Sequence, residues 1–177
     1  MHIKIPADRI GALVGPSGSV KSMFEEKTGA TIDIDSENGA VEITPGEDPI
    51  MAMRLAEVVR AIGRGFSPER ALPILEDELL MLDVIDLSRA FNTKSDMARV
   101  KGRIIGKDGR TREIAEKLTG AGISVYGKTI GIIGNPDQIR VARTAIEMLI
   151  DGAPHGAVYG YLEKKSQELA RSGIDDL

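Results

Sequence analysis

Cysteine and tryptophan are absent from this chain of 177 residues, which has only three phenylalanines, three tyrosines and two histidines. Each absence removes a class of chemistry. Without thiols there is no disulfide and no thiolate metal site, a usage that fits a reducing compartment, so a cytoplasmic location is expected. His2 and His155 are too few and too separated to suggest a metal site or a general base, and no metal or cofactor is expected. No nucleophile and base stand in a catalytic arrangement, so the chain does not read as an enzyme. Aromatic residues, at 3%, cannot furnish the exposed rings on which some modules stack bases. No run approaches the roughly 18 apolar residues of a membrane span, and Met1 to Ile5 lacks the apolar core of a signal peptide.

What the chain does contain is a basic glycine turn. Gly106-Lys107-Asp108-Gly109 follows the apolar pair Ile104 and Ile105 and precedes a segment, Arg110 to Leu118, with apolar residues at helical spacing. Glycines leave no Cβ in the way of an approaching phosphodiester, and a helix start offers unpaired N–H groups and a positive dipole end to anions. Arg99, Lys101, Arg103, Lys107, Arg110 and Arg112 stand against Asp108 alone between residues 99 and 112, in a chain whose formal charge is −4. Residues 1–98 carry 10 basic and 17 acidic side chains, residues 99–177 carry 13 and 10. Phosphate contacts dominate nucleic-acid affinity, so the second half reads as the stronger polyanion binder.

The same frame occurs twice. Gly15-Pro16-Ser17-Gly18, Lys21, Thr28-Gly29, Ile32 and Ile34 match Gly106-Lys107-Asp108-Gly109, Arg112, Thr119-Gly120, Ile123 and Val125, each pair offset by 91 residues. That period suits two copies of one small domain. Two rival readings of the first copy fail on single residues. A nucleotide-binding P-loop needs glycine where Val20 precedes Lys21, and a calcium loop from Asp33 needs glycine at Asn38 and glutamate at Thr44.

The pattern I-G-x-x-G-x-x-K/R followed by T-G-x-x-I-x-I resembles the KH domain, here in tandem. In that domain the G-x-x-G loop clamps the backbone of about four nucleotides beside an apolar groove that receives the bases. The second copy, through Gly102 to Thr111, Ile130 to Gly134, Ile139 to Arg143 and Val158 to Gly160, is similar to the Partner of Nob (Pno/Dim) family of pre-ribosome assembly factors. The resemblance implies an α+β protein of two type I KH domains that binds single-stranded RNA, the 3′ region of small-subunit ribosomal RNA, in ribosome biogenesis. It further implies a Nob-type endonuclease and a translation initiation factor as protein partners.

Carried onto this sequence, the resemblance assigns RNA binding to Arg103, Ile105, Gly106, Lys107, Asp108, Gly109, Arg110, Arg112, Ile123 and Val125, and more weakly to Gly15, Pro16, Ser17, Gly18 and Lys21. Groove candidates are Ile105, Ile114, Ile123 and Val125 in the second copy and Val14, Phe24, Ile32 and Ile34 in the first. Most of these apolar residues serve equally well as core. Pro16 removes one N–H donor and Ser17 adds no charge, so the first loop is the weaker grip. Phosphate contacts from Arg103, Lys107, Arg110 and Arg112 would give a log–log salt slope of about −2 to −3. A single-stranded DNA or regulatory nucleic-acid binder and a protein-interaction scaffold are the alternatives.

The pattern predicts β-α-α-β-β-α in each copy: a strand at 2–5, helices at 6–13 and 19–28, strands at 31–35 and 40–44 joined at Asn38-Gly39, and a helix at 50–62. In the second copy it predicts a strand at 81–87, a loop at 92–97, helices at 98–105 and 110–118, strands at 123–126 and 129–133, and a helix at 136–150. A further amphipathic helix spans 157–171. The expected domains are 1–65, a helical connector at 66–80, 81–152, and a C-terminal helix and tail at 153–177.

Overall fold

The structure, a computed structural model, describes residues 1–175. By its internal contacts the chain divides into two units, Met1–Leu82 and Asp83–Leu177.

The first unit runs β1 (His2–Lys4), α1 (Ile10–Val14), α2 (Ser19–Thr28), β2 (Thr31–Asp35), β3 (Ala40–Thr44) and α3 (Pro49–Gly63). Its sheet has the order β1-β3-β2 and is antiparallel throughout. Alternation puts Ile32, Val41 and Ile43 on the inner face and Asp33, Asp35 and Glu42 outside. The expected first helix divides: a 3-10 turn at Ala7–Arg9 precedes α1. The hairpin is wider than a two-residue turn, because Asp35 lies opposite Ala40. Asp35 and Asn38 side chains accept from the Glu37 and Ala40 amides and hold the four-residue loop. Asp48 caps α3, accepting from the Ile50 amide at 3.0 Å, with Pro49 in its first turn.

Residues 66–80 fold as two short helices, α4 (Pro68–Ala71) and α5 (Pro73–Glu76), capped by Ser67 and restarted at Pro73. Phe66, Ala71 and Ile74 are fully buried, and each large one contributes about 1.5–3 kcal/mol by leaving water. Arg54 on α3 donates to the carbonyls of Ile74, Asp77 and Glu78, so this segment packs on the first unit.

The second unit repeats the order with β4 (Met81–Asp86), α6 (Lys94–Ile105), α7 (Arg110–Thr119), β5 (Gly122–Tyr126), β6 (Thr129–Gly134) and α8 (Pro136–Ile150). Its sheet order is β4-β6-β5. Asn135 and Gln138 form a reciprocal capping box at the start of α8. α6 begins at Lys94, four residues before the expected start, because the Thr93 hydroxyl caps it by accepting from the Asp96 amide at 3.1 Å. The segment expected as a loop at 92–97 is therefore largely helical.

α9 (His155–Asp175) follows a short turn and is longer than expected at both ends. Val158 and Leu162, one turn apart, are fully buried, and Tyr161 and Leu169 are partly buried against the same core. The last two residues of the expected tail lie outside the described residues. Among the described residues no helix is long and apolar enough to cross a membrane.

Candidate nucleic-acid interface

The turn between α6 and α7 is built from three residues with positive φ. Gly106 lies at φ 76°, ψ 172°, Asp108 at φ 56° and Gly109 at φ 75°. The first of these conformations is essentially restricted to glycine. A Cβ on Gly106 would also stand 2.2 Å from the Thr111 hydroxyl oxygen. The chain thus folds tightly over the start of α7 and thrusts Lys107 and Asp108 outward, both exposed. The first copy reproduces this geometry, with Gly15 at φ 73°, ψ 175°, Ser17 at φ 54° and Gly18 at φ 76°. The 91-residue offset is therefore a repeat of backbone conformation as well as of letters.

The cations around the turn are not equivalent. Arg99, Lys107 and Arg110 are exposed, and no hydrogen bond or ion pair engages them among the described residues. Arg103 points elsewhere: its Nε donates to the Leu149 carbonyl at 3.1 Å and its Nη2 to the Ala153 carbonyl at 2.5 Å. It closes the C-terminal end of α8, where a cation also meets the negative end of the helix dipole. Arg9 does the same in the first unit, bonding the Ile62 and Phe66 carbonyls at 2.8 Å. Arg103, which the resemblance assigns to RNA, thus has a structural role at the end of α8.

Arg112 is held one turn from Glu116 in an ion pair. The second carboxylate oxygen of Glu116 accepts from the Ile123 amide at 2.9 Å, tying α7 to the first paired residues of β5. Lys21, Glu25 and the Ile32 amide repeat this arrangement, at 3.9 and 2.9 Å. Sequence reasoning passed over both glutamates, although they obey the 91-residue offset.

The apolar candidates also divide. Ile123 is 1% exposed and belongs to the core beside Ile130 and Ile132, so it presents no surface to a base. Phe24 and Ile32, at 0%, are core in the first unit for the same reason. Ile105, Ile114 and Val125 are half-buried, as are Val14 and Ile34. Val125 packs on the margin of the core from an edge strand. The loop of the first copy exposes Pro16 and Ser17, and Lys21 beyond it is partly neutralised by Glu25.

Residues 81–167 match the eukaryotic type KH-domain (KH-domain type I) family, and residues 1–52 match the KH domain family. A KH domain-containing protein from Methanocaldococcus jannaschii is 42% identical over 176 residues, covering 98% of this chain and 77% of that protein. The pre-rRNA-processing protein PNO1 of Eremothecium gossypii is 32% identical over 123 residues, 69% of this chain and 46% of that protein. This chain thus matches less than half the length of that fungal relative. Among solved structures, the Dim2p of Pyrococcus horikoshii in a complex with a/eIF2alpha and rRNA superposes with a TM-score of 0.89 at 49% identity. That match covers 95% of this chain and 94% of the other. Two KH folds joined in one chain, with a basic glycine turn in the second and relatives of this kind along nearly all of its length, place the protein in the PNO1/Dim2 family of KH-domain RNA-binding proteins.

Proposed function

We propose that the protein binds single-stranded RNA through the Gly106–Gly109 turn, that its ligand is the 3′ region of small-subunit ribosomal RNA, and that it acts in ribosome assembly by binding, without catalysing a reaction. The observation that carries this reading is the contrast between the two turns. They share one backbone geometry, but only the second surrounds it with exposed, unpaired cations, Lys107 and Arg110, at the start of a helix. N–H donors and positive charge at the turn suit a phosphodiester backbone, and half-buried Ile105 and Ile114 suit bases beside it.

The first copy, with Pro16 and Ser17 in its loop, is a weak RNA binder, and its acidic surface suits protein contacts. A Nob-type endonuclease and a translation initiation factor are the protein partners of this reading, in the cytoplasm. The presence of a/eIF2alpha beside a Dim2p and rRNA in the P. horikoshii complex supports the second of these.

The test is a titration against a small-subunit rRNA 3′-end oligonucleotide and a scrambled strand of equal length, with Lys107→Asp at matched salt. Selective binding that the variant loses is the expected result. Equal weak binding to both strands, unchanged in the variant, would overturn the reading and direct attention to protein partners. A deoxyribose version of the same strand separates RNA from DNA recognition through its missing 2′-hydroxyls.

A further inference from the structure

α9 adds a wall to the glycine turn. Between α6, the turn, the start of α7 and the first two turns of α9 lies an open cleft of 440 Å³ lined by Arg99, Arg103, Lys107, Arg110, His155 and Tyr159 with neighbouring small residues. No carboxylate lines it. Three other clefts, of 200, 320 and 570 Å³, each carry acidic groups: Asp137 and Glu168, Asp33 and Glu42, or Glu76 and Asp77.

The walls are tied to one another. The Tyr159 hydroxyl hydrogen-bonds the Thr111 hydroxyl at 2.9 Å, joining α9 to the start of α7. A ring nitrogen of His155 hydrogen-bonds with the Arg103 carbonyl at 3.1 Å, joining α9 to α6. The floor is a glycine. Gly102 sits inside α6, where glycine is less favourable than alanine, yet its φ is not positive and an added Cβ would meet no atom within 4 Å. Gly11, 91 residues earlier and inside α1, shares both properties, so a glycine at this place belongs to the repeat. What its missing side chain leaves is room for a ligand to approach the helix backbone.

We propose that this cleft holds the RNA backbone of a nucleotide flanking the four gripped at the turn, with Arg99 and Arg110 on its phosphate and the glycine floor admitting the sugar. The proposal rests on the RNA-binding reading above and extends it to a longer footprint. The volume suits one nucleotide, falling within the roughly 300–1,000 Å³ of small-molecule sites, and the cationic lining without a carboxylate suits a phosphodiester. Arg103 shapes the wall through its helix-end bonds and adds charge without reaching for the ligand.

The experiment compares a ten-nucleotide strand from the rRNA 3′ end with the four-nucleotide piece of it that binds best. Arg99→Ala and Gly102→Gln are the probes. Glutamine is a better helix former than glycine, so Gly102→Gln is expected to melt no lower than the parent, and a loss of binding is then not a loss of fold. The expected result is about a five- to tenfold weaker grip on the ten-nucleotide strand in both variants, with the four-nucleotide affinity within about twofold. Arg99→Ala should also flatten the log–log salt slope on the longer strand by about 0.7. Equal losses on both strands, or none on either, would overturn the cleft. Lys107→Asp separates the two ideas: if it weakens both strands while the cleft variants change neither, the turn binds RNA and the cleft does not. If no variant changes either strand, both readings fail.

Discussion

Asp108 is the residue at which conformation and charge pull in different directions. Its φ of 56° is a conformation that aspartate and asparagine tolerate better than most side chains, so the turn accepts it. Its charge opposes a phosphate at the tip of the turn, by about 0.7 kcal/mol for unit charges some 6 Å apart in water. Asp108→Asn keeps the conformational preference and removes the charge. RNA affinity should rise about threefold with the melting temperature unchanged, as read by titration and thermal unfolding. Arg103 calls for the opposite outcome. Because its guanidinium bonds two carbonyls at the end of α8, Arg103→Ala should cost about 1.5–3 kcal/mol of stability. Denaturant unfolding measures that cost. RNA affinity under conditions where the variant remains folded should stay within about threefold. Gly106→Asp, by contrast, is a poor probe of binding, since its Cβ would collide with Thr111 and unfold the turn it is meant to test.

Among the elements, α6 carries the turn, and its start is set by one hydroxyl. Thr93→Ala removes the cap on the Asp96 amide and should cost about 1 kcal/mol, with fraying measured by hydrogen exchange at the first turn of the helix. RNA binding at the far end of α6 should be unaffected, because Val100 and Ile104 anchor that end in the core. α7 is locked differently. Glu116 spans from Arg112 to the Ile123 amide, and Glu25 makes the same bridge from Lys21 to the Ile32 amide in the first unit, so the bridge is part of the fold of the repeat. Loops and helix boundaries were the parts least visible in sequence. The α6 start was obscured because Thr93 and Asp96 lie in a polar stretch with no apolar period, and a cap acts through one hydrogen bond, not through a pattern.

For the whole molecule, the sorting of cations changes a measurable quantity. Four phosphate contacts would give a salt slope near −3, but Arg103 is engaged by α8 and Arg112 by Glu116. With Arg99, Lys107 and Arg110 remaining, the slope for a strand that fills both turn and cleft should be near −2, from about 0.7 per phosphate. A slope of −3 or steeper, measured by titration between low and physiological salt, would return Arg103 or Arg112 to the interface. Charge is also divided between the halves, so Lys107→Ala should weaken RNA binding about five- to tenfold and flatten the salt slope by about 0.7 even though the first turn remains intact.

The repeat, the order of strands and helices in each copy, and the place of the turn are legible in the letters of the chain alone. Those features rest on local signals: glycines at positive φ, apolar periods of two and about 3.6, and caps such as Asn135-Pro136 that act within one turn of chain. Which side chains near the turn face solvent depends on packing between distant parts of the chain. Arg103 meets carbonyls 46 and 50 residues away, Ile123 is covered by a core drawn from both sides of the hairpin, and Tyr159 reaches Thr111 across 48 residues. A basic residue or an isoleucine has the same letter whether it is buried, bonded or free, and long-range packing alone distinguishes these states.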